Sequence, residues 1–558
     1  TESGEAKVEN NEWTFEETKG KTIEETVYDE KGHAVKSFKY NSLDSSSKIY
    51  TESEYAEDGK VTAEIDETGE NKTALEYVNG TGIVRSKTLS NGSKFAYGYN
   101  MEDNVTAITH STEEGEENST QTAYTGGEIT ELRSGNNVVR YEYDYKRRKT
   151  AIDLNDTKSY VKFEYTDKAV EDGKTVNKAK ATYTEREDGI KDTFETVTDM
   201  RGNVLKSKHN GETQVSYTYD DKNRLATFND KVSGEFKYAY DALDRVTDYT
   251  GGGITETYAY NPDGNIATKT VTVGESVKQY VYAYKDNAAK DLESVTADGV
   301  KISPQTDILG RNSGKEISIS GKKIASETIA YRKVGDHATN MPSTIRFGNR
   351  FASVIASSEA TRQSQPKEFV LLDSLKYKYD SCGNITEIWE NGKLATKYTY
   401  DKLNRLIRED NKQRYRTLVF TYDNNGNILS KRDVSFTLKD IESFEDNVGA
   451  ENLYAYSGDR LMAYGNERCE YDGMGNPKVY RKKSCSWEKG RQLVSYDGNT
   501  FAYDGQGRRI TKNGISYTYD SNGNLLKQTD GANTLEFIYD DSGVVGVKYD
   551  SETRSEEH

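Results

Sequence analysis

The sequence predicts an all-β protein, built of repetitive antiparallel hairpins in a long single-layer coiled sheet that forms a hollow shell or tube. Three observations carry this. One phrase recurs along the chain: FTYDNNGNILSK from Phe420, YKYDSCGNITEI from Tyr377, YTYDKLNRLIRE from Tyr398, YAYNPDGNIATK from Tyr258 and YTYDSNGNLLKQ from Tyr517. Its starts at Tyr217, Tyr238 and Tyr258, then at Tyr377, Tyr398 and Phe420, and at Tyr517 and Phe537, are spaced by about 20–22 residues, which accommodates two strands and two turns. The residue between the two aromatics is Thr218, Ala239, Ala259, Lys378, Thr399, Thr421, Ala455 or Thr518, so the opposite face is not greasy. A sandwich needs apolar inner faces on two sheets, and a parallel sheet needs crossover helices and Val/Ile/Leu runs. Neither pattern is present, so the expected sheet is wet on both sides and curls as it lengthens.

Each motif residue has a local reason. In a strand, residues i and i+2 share a face, so the aromatics of Tyr-x-Tyr point the same way and repeats align them into ladders. Aspartate ends the strand because its carboxylate accepts backbone N–H groups in an Asx-turn. Glycine supplies the positive φ of the return, and Asn or Asp tolerates it where the pair reads Asn223-Arg224, Asp244-Arg245 or Asn404-Arg405. The motif residues so assigned are Tyr219, Asp220, Tyr240, Asp241, Tyr260 and Gly264. They continue at Tyr379, Asp380, Gly383, Tyr400, Asp401, Tyr422, Asp423 and Gly426. A last group is Tyr471, Asp472, Gly475, Trp487, Tyr503, Asp504, Gly507, Tyr519, Asp520, Gly523, Tyr539 and Asp540.

Taken in order, residues 1–215 carry diverged motifs at Tyr28-Asp29, Tyr99-Asn100, Tyr143-Asp144 and Asp199. Residues 216–290 are regular repeats. Residues 291–376 are expected to be an irregular connection or insertion, because no tyrosine lies between Tyr331 and Tyr377 and Pro304, Pro342 and Pro366 cluster there; the run 352–365 is compatible with a short helix. Regular repeats resume over 377–549, interrupted by 437–452, and 550–558 is a polar tail.

The 558 residues include 42 tyrosines, 46 glycines and only five prolines, with net charge −17. Low apolar content and high charge suit a disordered chain, but disordered chains are poor in aromatics, and here tyrosine sits at fixed offsets from Asp and Gly. The acidic balance argues against nucleic acid, which needs clustered Lys and Arg. No run approaches the ~18 apolar residues of a membrane span, so the chain is expected to be soluble. Three cysteines, Cys382, Cys469 and Cys485, are too few for a disulfide scaffold. Cys469 and Cys485 flank a hairpin centred near Met474 without standing opposite each other, and the sequence leaves their pairing open.

Chemistry is sparse. Five scattered histidines, with no HExxH or CxxC, argue against a zinc site. GxSxG and Walker-type loops are missing, and turns such as Asp520–Asn524 lack the alternating acidic ligands of a calcium loop. No catalytic residue, metal ligand or cofactor is assigned.

These motifs resemble the YD-repeat, or Rhs-type, proteins of bacteria, with toxin-complex C components and teneurins as more distant relatives. The resemblance covers at least Tyr217 to Tyr549. Its most specific stretches are Tyr471 to Pro477, Trp487 to Leu493 and Tyr503 to Arg509, followed by Tyr539 to Gly546. It implies a hollow β-shell that encloses a variable toxic domain, preceded by a core that in many members cleaves itself. No position of this sequence matches those cleavage residues or that domain. The expectation is therefore a non-enzymatic structural shell, the encapsulating region of a secreted or surface polymorphic toxin, whose partners are the enclosed toxin domain and a delivery component. The alternative is a cell-surface adhesion or carbohydrate-binding repeat protein that meets surface glycans through its tyrosine ladders.

Overall fold

The computed structural model describes residues 4–549 apart from 10–11, 18–21, 114, 136, 155–158, 186–190, 287–289, 350–369, 440–449, 458, 473 and 541–542. Every regular element among them is a β-strand, and successive strands pair antiparallel. The contacts divide the chain into two compact units. The first comprises Thr1–Thr122, Tyr284–Ser294 and Gly299–Ala455; the second comprises Ala123–Ala283, Val295–Asp298 and Tyr456–His558.

In the first unit, hairpins run from Thr22–Tyr28 and Ala34–Asn41 onward, and again from Val300–Thr306 to Ile428–Ser435. A recurrent irregularity marks the motif. Thr421 pairs with Ser430 but Tyr422 with Ile428, so Leu429 is an extra residue on the outgoing strand. The same shift falls between Thr399 and Tyr400, and in the second unit between Ala239 and Tyr240. A bulge kinks the strand and re-aims the side chain beside it, here the second tyrosine of each motif. Also in the first unit, the strand His337–Asn349 makes one parallel bridge, His337 to Lys48, in addition to its antiparallel neighbours. Through that bridge the strand order becomes that of a closed barrel.

Two expectations are corrected. The stretch 291–376 is not irregular where it is described. Val300–Thr306, Asn312–Ile319, Lys322–Val334, His337–Asn349 and Val370–Tyr379 are paired strands. Pro304 and Pro342 are accommodated within this ladder, opposite Lys315 and Tyr331, the latter beside register shifts. The expected helix over 352–365 lies outside the described residues, as do most of 437–452 and the tail 550–558.

The second correction concerns solvent. In the second unit, a nine-stranded sheet from Val479–Tyr480 to Gly543–Tyr549 lies against the hairpins Glu212–Tyr219 to Ser276–Tyr284. Between them Val215, Phe228, Phe236, Tyr249, Ile254, Val271 and Tyr280 are buried. Phe228 stacks on Phe236 with centroids 4.4 Å apart, and Tyr238 meets Tyr249 at 5.0 Å. The apolar row comes from residues outside the Tyr-x-Tyr phrase, so the wet-both-sides expectation does not hold there. Burying such a side chain contributes about 1.5–3 kcal/mol. Where the two sheets meet, Gly505 passes so close that a Cβ would stand 2.6 Å from Asp230 Oδ2 and 2.7 Å from the Gln214 carbonyl oxygen.

Candidate functional site: the stitched turns

The motif aspartate heads a five-residue turn. Asp423 donates its amide to the Asn427 carbonyl (2.9 Å) and its own carbonyl accepts from Gly426 (3.1 Å). Its Oδ1 accepts the amides of Asn425 and Asn427 at 2.9 and 2.8 Å, and its Oδ2 accepts Asn427 Nδ2 at 2.9 Å. The third residue after the aspartate holds a left-handed φ: 87° at Gly426, 59° at Asn404, 68° at Asn223 and 64° at Asp244. Asp220, Asp241, Asp401 and Asp504 build the same turn with arginine closing it, and Asp380, Asp472 and Asp520 with asparagine. At Asp220 the amide of Arg224, then its guanidinium, hold the carboxyl below its ordinary range. Tyr260 precedes Asn261 instead, whose turn closes through Gly264 at 2.9 Å.

The second tyrosine is a tie as well as a ladder rung. Tyr422 donates its hydroxyl to the Leu406 carbonyl at 2.5 Å, across the neighbouring strand and next to the turn headed by Asp401. Tyr219 reaches Val204, Tyr240 reaches Leu225, Tyr260 reaches Val246, Tyr379 reaches Pro342 and Tyr400 reaches Ile385. Tyr471, Tyr503, Tyr519 and Tyr539 bond Leu461, Leu493, Arg509 and Leu525. Burial raises the phenol of Tyr422 above its ordinary value.

Where arginine closes a turn, its guanidinium lies over the tyrosine of the next repeat. Arg224 is 4.5 Å from the Tyr240 centroid, Arg245 4.3 Å from Tyr260, and Arg311 4.1 Å from Tyr331. Aspartate, closing residue and next tyrosine therefore form a chain from turn to turn. Aspartate to arginine is a charge-assisted bond and arginine to tyrosine a cation–π contact of ~0.5–2 kcal/mol.

Sequence reasoning missed one such turn. Asp307 accepts the amides of Leu309 and Arg311 and the Arg311 guanidinium, with Gly310 at φ 79°. It lacks a preceding tyrosine, but the Asp-x-x-Gly-Arg spacing was there to be read. The diverged first section also holds the turn, at Asp29, Asn100, Asp144 and Asp199.

A buried ionic cluster also went unforeseen. In the second unit, Lys269 Nζ lies 3.2 Å from Glu256 and 3.1 Å from Asp520, while Ser521 and Tyr258 donate to Glu256. Burial opposes the Lys269 charge, but Glu256 and Asp520 outweigh it and hold its pKa above the ordinary lysine value. Burial first, then Glu256, pushes the Tyr258 phenol up. Trp487 stands in the strand Lys483–Glu488 and donates its indole N–H to the Pro477 carbonyl at 2.8 Å. Asp540 ends the strand Thr534–Asp540. All three cysteines are free thiols, so Cys469 and Cys485 are not bonded to each other. Among the described residues no group of three or more His, Cys, Asp or Glu side chains is placed to hold a metal.

The fold is the β-shell fold of solved toxin-complex structures, and the repeat motif resembles that of YD-repeat, Rhs-type proteins. No protein-family model matches the chain. The crystal structure of TcdB2-TccC3-TEV superposes with TM-score 0.58 at 13% identity, covering 98% of this chain and 31% of that one. TcdB2-TccC3-Cdc42 gives 0.57 at 14% identity, covering 95% and 29%. In sequence, the chain is 26% identical over 186 residues to double-stranded DNA deaminase toxin A of Burkholderia cenocepacia, which is 32% of this chain and 10% of that protein. It is 32% identical over 158 residues to the tRNA nuclease WapA of Bacillus subtilis, 26% of this chain and 6% of the relative. The chain thus spans a tenth or less of the curated relatives it matches and under a third of the solved chains. The relatives are toxins, and the fold is that of the TcdB2-TccC3 toxin-complex structures.

Proposed function

We propose that this chain is a non-enzymatic wall: the encapsulating YD-repeat region of a secreted or surface polymorphic toxin, which encloses a toxic domain until a delivery component receives it. The observation that carries the reading is the stitching of turn to turn along the described repeats. Hydroxyl-to-carbonyl ties and arginine–tyrosine contacts stiffen one edge of a hairpin sheet, repeat after repeat, and add to the apolar packing found where a second sheet lies against it. That is a way to make a large enclosing surface from few residues. The non-enzymatic reading is supported by how the motif aspartates are occupied: the carboxylates of Asp241, Asp380, Asp401, Asp423, Asp472, Asp504 and Asp520 each accept two backbone amides and a side chain, which leaves them poorly placed for acid–base work. The glycan-binding alternative rested on exposed tyrosine ladders, and the motif tyrosines instead spend their hydroxyls on carbonyls and many of their faces on arginines.

Cryo-electron microscopy of the purified chain tests the proposal. A wall about one sheet thick around an open interior is expected; a solid globule or a flexible coil would overturn it.

A further inference from the structure

Trp487 stands where other repeats have the tying tyrosine, because Pro477 follows the turn headed by Asp472 as Leu406 follows the one headed by Asp401. Its indole N–H is spent on the Pro477 carbonyl, which fixes the ring, and within the second unit the ring borders a cavity of about 480 Å³. That volume falls inside the ~300–1,000 Å³ range of small-molecule pockets. The other wall is strand register made visible: Tyr183 stands opposite Asp192, and Phe194 opposite His209, so Tyr183, Asp192 and His209 reach one side together. Met474 contributes an apolar surface beside Trp487.

The polar groups here are half-used. Asp192 Oδ1 accepts from His209 Nε2 and from Asn210 Nδ2, the latter at 3.0 Å. Its Oδ2, His209 Nδ1 and the Tyr183 hydroxyl have no hydrogen-bond partner among the described residues. The lining also holds Lys191, Lys489 and Glu488, so with Asp192 it carries cations and anions in equal number, while the carboxylate of Asp472 is consumed by its own turn.

We propose that this cavity binds a small neutral saccharide. The flat C–H face of a sugar ring suits an immobilised indole, and its hydroxyls need both an acceptor and donors at the ring edge. Asp192 Oδ2, His209 Nδ1 and the Tyr183 hydroxyl supply those roles. A phosphorylated or carboxylated ligand would need an uncompensated cation, and a lipid would strand these polar groups unpaired. The proposal does not rest on the wall reading: a hollow wall can lack this site, and the site can bind in a chain that is not a wall.

The test is titration of the full chain with glucose, N-acetylglucosamine and maltotriose, followed by tryptophan fluorescence and saturation-transfer NMR. At least one saccharide is expected to saturate below about 20 mM, the range of weak millimolar affinity. Trp487→Phe leaves Trp13 and Trp389 and is expected to abolish the fluorescence change while keeping an NMR signal. Asp192→Asn, with an unchanged circular dichroism spectrum, is expected to weaken binding at least about fivefold by removing the free acceptor. No saturation by any of the three saccharides, or saturation indifferent to both substitutions, would overturn the proposal. So would preferential binding of inorganic phosphate or of a fatty acid at the same residues.

Discussion

The guanidinium carbon of Arg405 lies 4.9 Å from the ring centroid of Tyr422, and the same guanidinium closes the turn headed by Asp401 at 2.6 Å. One side chain thus belongs to two repeats. Arg405 also donates to the Asp423 carbonyl at 3.0 Å, so it touches the next turn's backbone as well as its tyrosine. In a repeat array, stability is a sum of unit and neighbour terms, and this residue is a neighbour term.

Removing the tie and removing the cation are therefore separable. Tyr422→Phe deletes the bond to the Leu406 carbonyl but keeps the ring, and is expected to cost about 1 kcal/mol locally. Arg405→Ala loses the ion pair and the ring contact together and is expected to cost more, about 1–3 kcal/mol. Hydrogen exchange at the amides of Leu403, Arg405, Asn425 and Asn427 reports both. Equal losses for the two variants would refute the two-repeat role of the arginine.

The left-handed position is a backbone requirement rather than a lack of room. Nothing lies within 4 Å of a Cβ built on Gly426, yet its φ is 87°. Gly426→Ala is expected to lose about 1–2 kcal/mol, whereas Asn404→Gly, at φ 59°, should stay within a few tenths of a kcal/mol of wild type. Urea denaturation of the two variants side by side checks the contrast.

Lys269 neutralises two carboxylates that are almost wholly inaccessible, with side-chain exposures of 0% for Glu256 and 4% for Asp520. Lys269→Met leaves like charges buried and is expected to cost ~3–5 kcal/mol. Loss of the nine-stranded sheet's protection from limited proteolysis should accompany it, because Asp520 belongs to that sheet's turns. Gly505→Ala, whose methyl would collide with Asp230, is expected to loosen the same contact.

Acid sensitivity has a named source. Lys178, then Lys208 and Lys206, hold the Glu171 carboxyl at about 2. The folded value lies below the unfolded one, so the cluster's contribution is complete above the ordinary glutamate range, near pH 4.5, and fades as pH falls toward 2. Glu171→Gln should flatten the fall in stability between those limits. A denaturation midpoint measured across pH 6 to 2.5 gives the comparison; an unchanged slope would exclude Glu171.

Much of the turn was legible in sequence because its chemistry is local. Asp423, Gly426 and Asn427 satisfy one another within five residues, so composition and spacing predict the geometry without knowledge of the rest. The repeats without tyrosine were not legible in the same way. Asp307 makes the same turn without a tyrosine before it, so the aromatic spacing that marks the other repeats is missing there, although strands pair around it with prolines in the ladder. Phe228 and Phe236 stand outside the phrase, and nothing nearby in sequence says what covers them.

The amino-acid sequence by itself determined the hairpin, its period and the turn that ends each strand, because backbone preference and side-chain-to-backbone bonds act over a few residues. Only the tertiary structure decided that Tyr422 ties to Leu406, that Arg405 lies under that tyrosine, and that a second sheet covers Phe228 and buries Lys269 between Glu256 and Asp520. Those contacts join residues separated by a whole strand or by hundreds of positions. Which of many similar tyrosines and carboxylates meet is set by register and by the packing of one sheet on another, information that no short stretch contains.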